Sequence, residues 1–173
     1  MFVTFLRESK VAAYLLLIVR LYLGWTWMTA GWLKIVDGFD ATNYLHAAVQ
    51  ATAGDHPAVQ GWWANFLEGF AIPHIILFNV LIPWGEFFVG LGLIFGFLTT
   101  LSACMGIVMN FAFLFSGTTS SNPQMVLLTV FVLVAGMNAG KIGFDRWMVP
   151  YLRREAAWLL PEKPGGHTYN NIA

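Results

Sequence analysis

Apolar residues dominate four stretches of the chain, at about Val11–Lys34, Ile72–Phe97, Thr99–Ser116 and Gln124–Phe144. A helix needs roughly 20 such residues to cross a bilayer core, so each stretch is read as a transmembrane helix. Turn-forming residues separate them: Gly96–Thr100 reads as a tight turn, and the Ser, Thr, Asn and Pro of Ser116–Pro123 as a second. The polar interval between the first two stretches carries its own pattern. Ala41, Tyr44, Leu45, Ala48 and Val49 fall on one helical face behind Asp40 as N-cap, and Trp63, Phe66, Leu67 and Phe70 repeat the spacing. Two short amphipathic helices lying on the membrane surface are expected there, as a lid on the bundle or a cover for a site. The fold class expected is all-α integral membrane: a four-transmembrane-helix bundle, one domain over residues 1–173, with a polar tail at 153–173. The first stretch is too long for a signal peptide core and ends in Trp32-Leu33-Lys34, so it is expected to be retained.

Composition removes the soluble alternative. The chain is 58% hydrophobic and 10% charged, against about 25% charged in soluble domains. Nine Lys plus Arg balance nine Asp plus Glu, which gives no basic excess for nucleic acid. The distribution of charge is more telling than its sum. Arg7 and Lys10 precede the first span, and Lys141, Arg146, Arg153, Arg154 and Lys163 lie at or beyond the end of the fourth. The 37–71 loop has no Lys or Arg but holds Asp37, Asp40, Asp55 and Glu68. Both termini are therefore expected in the cytoplasm, with the loop outside. The single cysteine, Cys104, excludes an intrachain disulfide and is expected to be a small core side chain.

Polar side chains inside the spans carry the chemical interest, because an ionised group at the centre of a membrane helix costs about 2.5–3.5 kcal/mol to insert. Arg20 and Glu86 are the two clear cases, and Asn110 and Asn138 are milder ones. Counted from the cytoplasmic helix ends at 1.5 Å per residue, they lie at about 14, 17, 15 and 9 Å, which predicts one polar layer. Arg20, Gly24, Trp27, Gly31 and Lys34 share a face; so do Asn79, Glu86, Gly90, Leu93 and Phe97. Ala103, Gly106, Asn110 and Phe113 form a third stripe, and Phe131, Ala135, Asn138, Lys141 and Asp145 a fourth. Gly and Ala on these stripes mark close helix contacts, as do Gly92-x-x-x-Gly96 and Gly136-x-x-x-Gly140.

The expected centre is a buried Arg20–Glu86 pair beside Asn110, Asn138 and Trp27, with Lys34 and Asp37 at its outer mouth. Such a site suits a quinone head group, with Glu86 as proton exchanger and Arg20 holding it ionised. Two blander readings stay open: the pair fixes helix register, and the two Asn are interhelical glue. Haem has no support, since His46 and His56 lie in the loop, His74 at a span edge and His167 in the tail. No Fe–S, zinc or nucleotide motif is present in the sequence.

Several runs resemble the DoxX/DoxD family. Arg20-Leu-Tyr-Leu-Gly24 with Ala30-Gly31-Trp-Leu-Lys34 resembles its first span. Glu86-Phe-Phe-Val-Gly90-Leu-Gly92 with Gly96-Phe-Leu-Thr99 resembles its second, and Asn138-Ala-Gly140-Lys-Ile-Gly143-Phe-Asp145-Arg146-Trp147 the end of its fourth. The resemblance implies a multi-pass protein of the bacterial or archaeal cytoplasmic membrane and a subunit of a quinone-linked oxidoreductase, as DoxD is of thiosulfate:quinone oxidoreductase. It is then not a complete enzyme alone. Membrane lipid and a soluble or membrane redox subunit are the expected partners, and a homo-oligomer is left open. The rival functions are a scaffold that anchors a redox or stress-response partner through the basic cytoplasmic end, and a small proton-coupled carrier.

Overall fold

The computed structural model describes residues 1–53 and 55–157. Among these the chain is helical and has no strand. In order come α1 (Phe2–Glu8), α2 (Lys10–Asp37), α3 (Thr42–Gln50) and α4 (Gly61–Phe66), which passes into a π-helical turn at Leu67–Ala71. Then follow α5 (Ile75–Phe95), α6 (Thr99–Phe115), α7 (Asn122–Ala135), α8 (Met137–Gly140) and α9 (Asp145–Ala157). α2 and α5 are long and apolar enough to cross a membrane, and α6 and α7 are shorter apolar helices. The expected polar tail at 153–173 is helical as far as Ala157; its remainder, with Lys163 and His167, lies outside the described residues.

α2, α5, α6 and α7 bury one stripe each around a core that includes Leu16, Leu23, Trp27, Val89, Leu93 and Val132. Their outer faces are just as apolar: Ile18, Trp25, Val80, Phe88, Leu101, Val108 and Leu127 are all exposed. An apolar exterior of this extent calls for lipid as solvent. Cys104 stands on that exterior and not in the core. Ala103, Gly106 and Asn110 occupy the inward positions of α6, and one residue's step of about 100° turns position 104 away from them.

α2 and α5 make the most extensive helix contact, and they do so backbone to backbone. A Cβ on Gly31 would lie 2.5 Å from the Phe87 nitrogen and 2.6 Å from the Pro83 carbonyl oxygen. A side chain there would force the helices apart, so the glycines of the α2 stripe set the depth of this contact.

The fourth apolar run is not one helix. It breaks between α7 and α8 at Gly136, whose φ of 54° and ψ of −123° suit only glycine. No atom lies within 4 Å of where its Cβ would be, so Gly136-x-x-x-Gly140 is no packing pair at its first position. Gly136→Ala is expected to cost about 1–3 kcal/mol through backbone strain alone, read as a lower unfolding midpoint in detergent. The break leaves carbonyls without helical partners; the N-terminal segment supplies a donor to one of them and accepts from α8 in return. Arg7 Nε donates to the Val134 carbonyl at 2.9 Å, and Asn138 Nδ2 donates to the carbonyls of Leu6 (2.8 Å) and Ser9 (2.9 Å).

The loop forms two short helices where two were expected, over a small core of Leu45, Val59, Ala64 and Leu67. Ala41, not Asp40, occupies the N-cap of α3; Asp40, one residue earlier, accepts from the Thr42 hydroxyl at 2.6 Å and the Thr42 N–H at 3.0 Å. Asn79 Nδ2 adds a third donor at 3.2 Å. Trp63 Nε1 donates to Ser116 Oγ (2.9 Å), and Tyr44 and Thr118 share a hydroxyl bond (2.8 Å), which tie this lid to the α6–α7 turn. The Thr42 hydroxyl, then its N–H, then Asn79 hold the Asp40 carboxyl below its ordinary range. A depressed carboxyl stabilises the fold at neutral pH, and that contribution is lost as pH falls through the folded value. Asp40→Asn should therefore raise amide exchange across Thr42–Gln50 at neutral pH and shrink its acid sensitivity, as read by hydrogen–deuterium exchange.

Candidate functional site in the helix bundle

The structure pairs the buried charges differently from the sequence expectation. Glu86 is 1% exposed and its partner is Lys34, with Nζ 2.6 Å from Oε2. Arg20 instead donates to the carbonyls of Ala139 and Ile142, each at 2.7 Å. The reason is helix stagger. α2 has 28 residues against 21 in α5, and its N-terminal part runs past the end of α5. Arg20 consequently lies against Gly96, where a Cβ would sit 2.6 Å from Nη1, whereas Gly31 lies against Phe87. About ten residues of antiparallel contact, or about 15 Å, separate Arg20 from Glu86. The single polar layer resolves into two.

The inner layer is a dense hydrogen-bonded knot, in which Arg20 Nε, Thr99 Oγ1 and Asn138 Oδ1 are the buried atoms without a partner. Asp145 at the start of α9 accepts from the N–H groups of Leu98 (2.7 Å) and Thr99 (2.8 Å), which caps α6. Its own N–H donates to the Gly96 carbonyl at 2.7 Å, and its charge acts on Arg20. Arg20 and Asn138 thus join the break in the fourth run to the α5–α6 turn and to the α1–α2 junction. Asp145 was visible in the sequence as the last member of a stripe and as part of the family-like run at the end of the fourth span, with no role assigned to it. Lys141, on the same stripe, is exposed.

The outer layer differs in kind: Arg20 and Asn138 each keep two hydrogen bonds, whereas Asn110 and the Trp27 indole make none. Asn110 is 0% exposed, yet neither Nδ2 nor Oδ1 has a hydrogen-bond partner. Trp27 is 3% exposed and its indole N–H is also unpartnered. One turn before Asn110, a Cβ on Gly106 would lie 3.2 Å from Trp27 Nε1 and 3.2 Å from Val89 on α5. Val89 in turn follows Glu86 by three residues. Trp27 Nε1 thus lies about one turn along α6 from Asn110, and Val89 about one turn along α5 from Glu86; Lys34, two turns along α2 from Trp27, reaches this level through its ammonium on Glu86. Lys34 is 28% exposed, with its ammonium 5.8 Å from the Phe39 ring centre, and leads from Glu86 to the outer end of the bundle.

An apolar groove of about 840 Å³ runs between α5 and α6 on the lipid-facing side. Leu81, Val89, Phe95, Leu101 and Met105 line it, and so do Gly85 and Met109, the chain neighbours of Glu86 and Asn110. The site can thus offer N–H donors to a carbonyl, a carboxylate to a hydroxyl, and apolar walls to a ring or tail. Among the described residues no group of three His, Cys, Asp or Glu side chains could hold a metal ion.

No curated protein and no solved structure matches the chain. The DoxX family model matches residues 15–119, more than half of the sequence. That span takes in most of α2, the lid, and all of α5 and α6, with Arg20, Trp27, Lys34, Glu86 and Asn110 inside it and Asn138 and Asp145 beyond it. A membrane protein by its apolar helices, the chain belongs to the DoxX family.

Proposed function

We propose that the protein is the membrane subunit of a quinone-linked oxidoreductase in a bacterial or archaeal cytoplasmic membrane. In this reading α2, α5, α6 and the α7–α8 pair all cross the bilayer, with both termini cytoplasmic and the lid outside. The 17 residues of α6 reach about 26 Å, close to the roughly 30 Å of hydrocarbon. The observation that carries the proposal is Asn110: a wholly buried amide with no protein partner, set beside a buried ion pair. Buried polar atoms are nearly always paired, and those that are not call for an explanation such as a ligand.

A bound quinone would supply a two-electron, two-proton couple. Asn110 Nδ2 and Trp27 Nε1 would donate to a carbonyl of the head group and orient it. Glu86 would take or return a proton at the hydroxyl of the reduced form. Lys34 would hold the Glu86 carboxyl in place through the hydrogen bond to Oε2. Arg20 and Asn138, both expected at this centre from sequence, hold the fold together at the inner layer. Electrons would come from a partner subunit docked at the cytoplasmic end, where Lys141, Arg146 and Arg154 are exposed.

The test is quinone extraction from protein purified in mild detergent, followed by titration with a short-tailed soluble quinone. Wild type should bind, and Glu86→Gln should weaken binding of the reduced form by about tenfold, or about 1.4 kcal/mol. A folded wild type that neither retains nor binds quinone would rule the reading out.

A further inference from the structure

We infer that the groove between α5 and α6 seats the long isoprenoid tail of the quinone, whose head enters the bundle sideways from the lipid between Gly85 and Met109. The inference rests on reading the polar centre as a quinone site, and it adds where the tail lies and how the head arrives.

Three observations converge on it. The groove and the polar centre share a wall. Val89 lines the groove and also approaches Gly106, beside the unpartnered Trp27 N–H. Gly85 and Met109 line the groove, while the next residue of each helix, Glu86 and Asn110, is buried in the centre. The wall is thin where it matters. A Cβ on Gly85 would meet only the Met109 Sδ and Cε, each at 3.6 Å, so the two helices are closed here by a flexible thioether and not by backbone. Pro83 lies two residues before Gly85 inside α5; it removes a helical hydrogen bond and lets the helix bend at this level.

The chemistry selects a neutral amphiphile. The groove lining contains no charged residue. At the centre Lys34 is held by Glu86, and Arg20 lies in the inner layer, held by two carbonyls. A phospholipid would bring a phosphate to a place with no available cation. A carbonyl head needs only donors, and Asn110 and Trp27 supply them. From Gly85 to Phe97 the groove follows twelve residues, or about 18 Å, long enough for several isoprene units.

The experiment uses the full chain in detergent or nanodiscs and three probes: a long-tailed quinone with a diazirine in the tail, a short-tailed soluble quinone, and a diazirine phospholipid. The tail probe should label Leu101–Met109 and the facing residues of α5, and excess unlabelled long-tailed quinone should suppress the labelling. Gly85→Leu, which fills the opening, should lower long-tail affinity by about tenfold or more. Met105→Trp, which fills the groove away from the centre, should lower long-tail affinity and leave short-tail affinity unchanged. Gly85→Ala keeps the opening, since its Cβ would sit at ordinary contact distance, and controls for loss of a helical glycine; thermal unfolding reports whether each variant folds. Labelling no stronger than with the phospholipid probe, or not suppressed by quinone, overturns the inference. So does an equal loss of long- and short-tail affinity in Met105→Trp. Short-tail binding without groove labelling sinks the tail site alone, whereas binding of neither quinone sinks the polar-centre reading with it.

Discussion

Lys34→Met should destabilise the protein by about 3 kcal/mol, and adding Glu86→Gln should restore most of that loss. The first substitution leaves a carboxylate in the bundle with no opposite charge, and an unpaired buried ion is far costlier than no ion at all. The Glu86 side chain is buried and has no other ionic partner among the described residues. Lys34 is partly exposed, which puts the expected loss at the low end of the range for broken buried pairs. The double variant carries a neutral amide and an apolar chain of similar volume and removes the charge problem. A double-mutant cycle of unfolding free energies in detergent measures this directly. Additive single effects would mean that the two side chains do not act on each other.

Arg20→Met should be the most damaging single change, at about 3–5 kcal/mol. It removes both donors to the carbonyls of Ala139 and Ile142 and the counter-charge to Asp145. The helix break at Gly136 would lose the side chain that ties it to α2, so proteolysis near α8 should increase first. Arg20→Lys keeps the charge but reaches one carbonyl at best, because an ammonium lacks the planar fork of a guanidinium; its loss should be intermediate. Neither variant that folds should change quinone affinity. A folded Arg20→Lys that binds quinone poorly would return Arg20 to the site.

The periodicity of apolar residues made the helices and their buried faces readable. Arg20, Trp27, Glu86 and Asn110 are all interior, and the glycines on their stripes do set close contacts. The pairing was not readable, because depth counted from each helix end assumes that all helices begin in one plane. α2 overshoots α5, which moves Arg20 to the α5–α6 turn and brings Lys34, apparently an end residue, onto Glu86. The break at Gly136 was hidden because a backbone glycine and a packing glycine look alike in a small-xxx-small pattern; only φ distinguishes them. α1 escaped notice because seven mixed residues carry too little periodicity, and its role depends on distant carbonyls and Asn138. The unpartnered atoms of Asn110 and Trp27 are purely three-dimensional facts.

Asn110→Leu tests the central claim most directly, with quinone affinity and unfolding midpoint measured on the same preparation. If the amide serves a ligand, the apolar near-isostere should lower affinity by about tenfold or more while the midpoint of the ligand-free protein holds or rises, since a buried unpaired group has been removed. A lower midpoint with unchanged affinity would show that Asn110 is packing glue and would contradict the account.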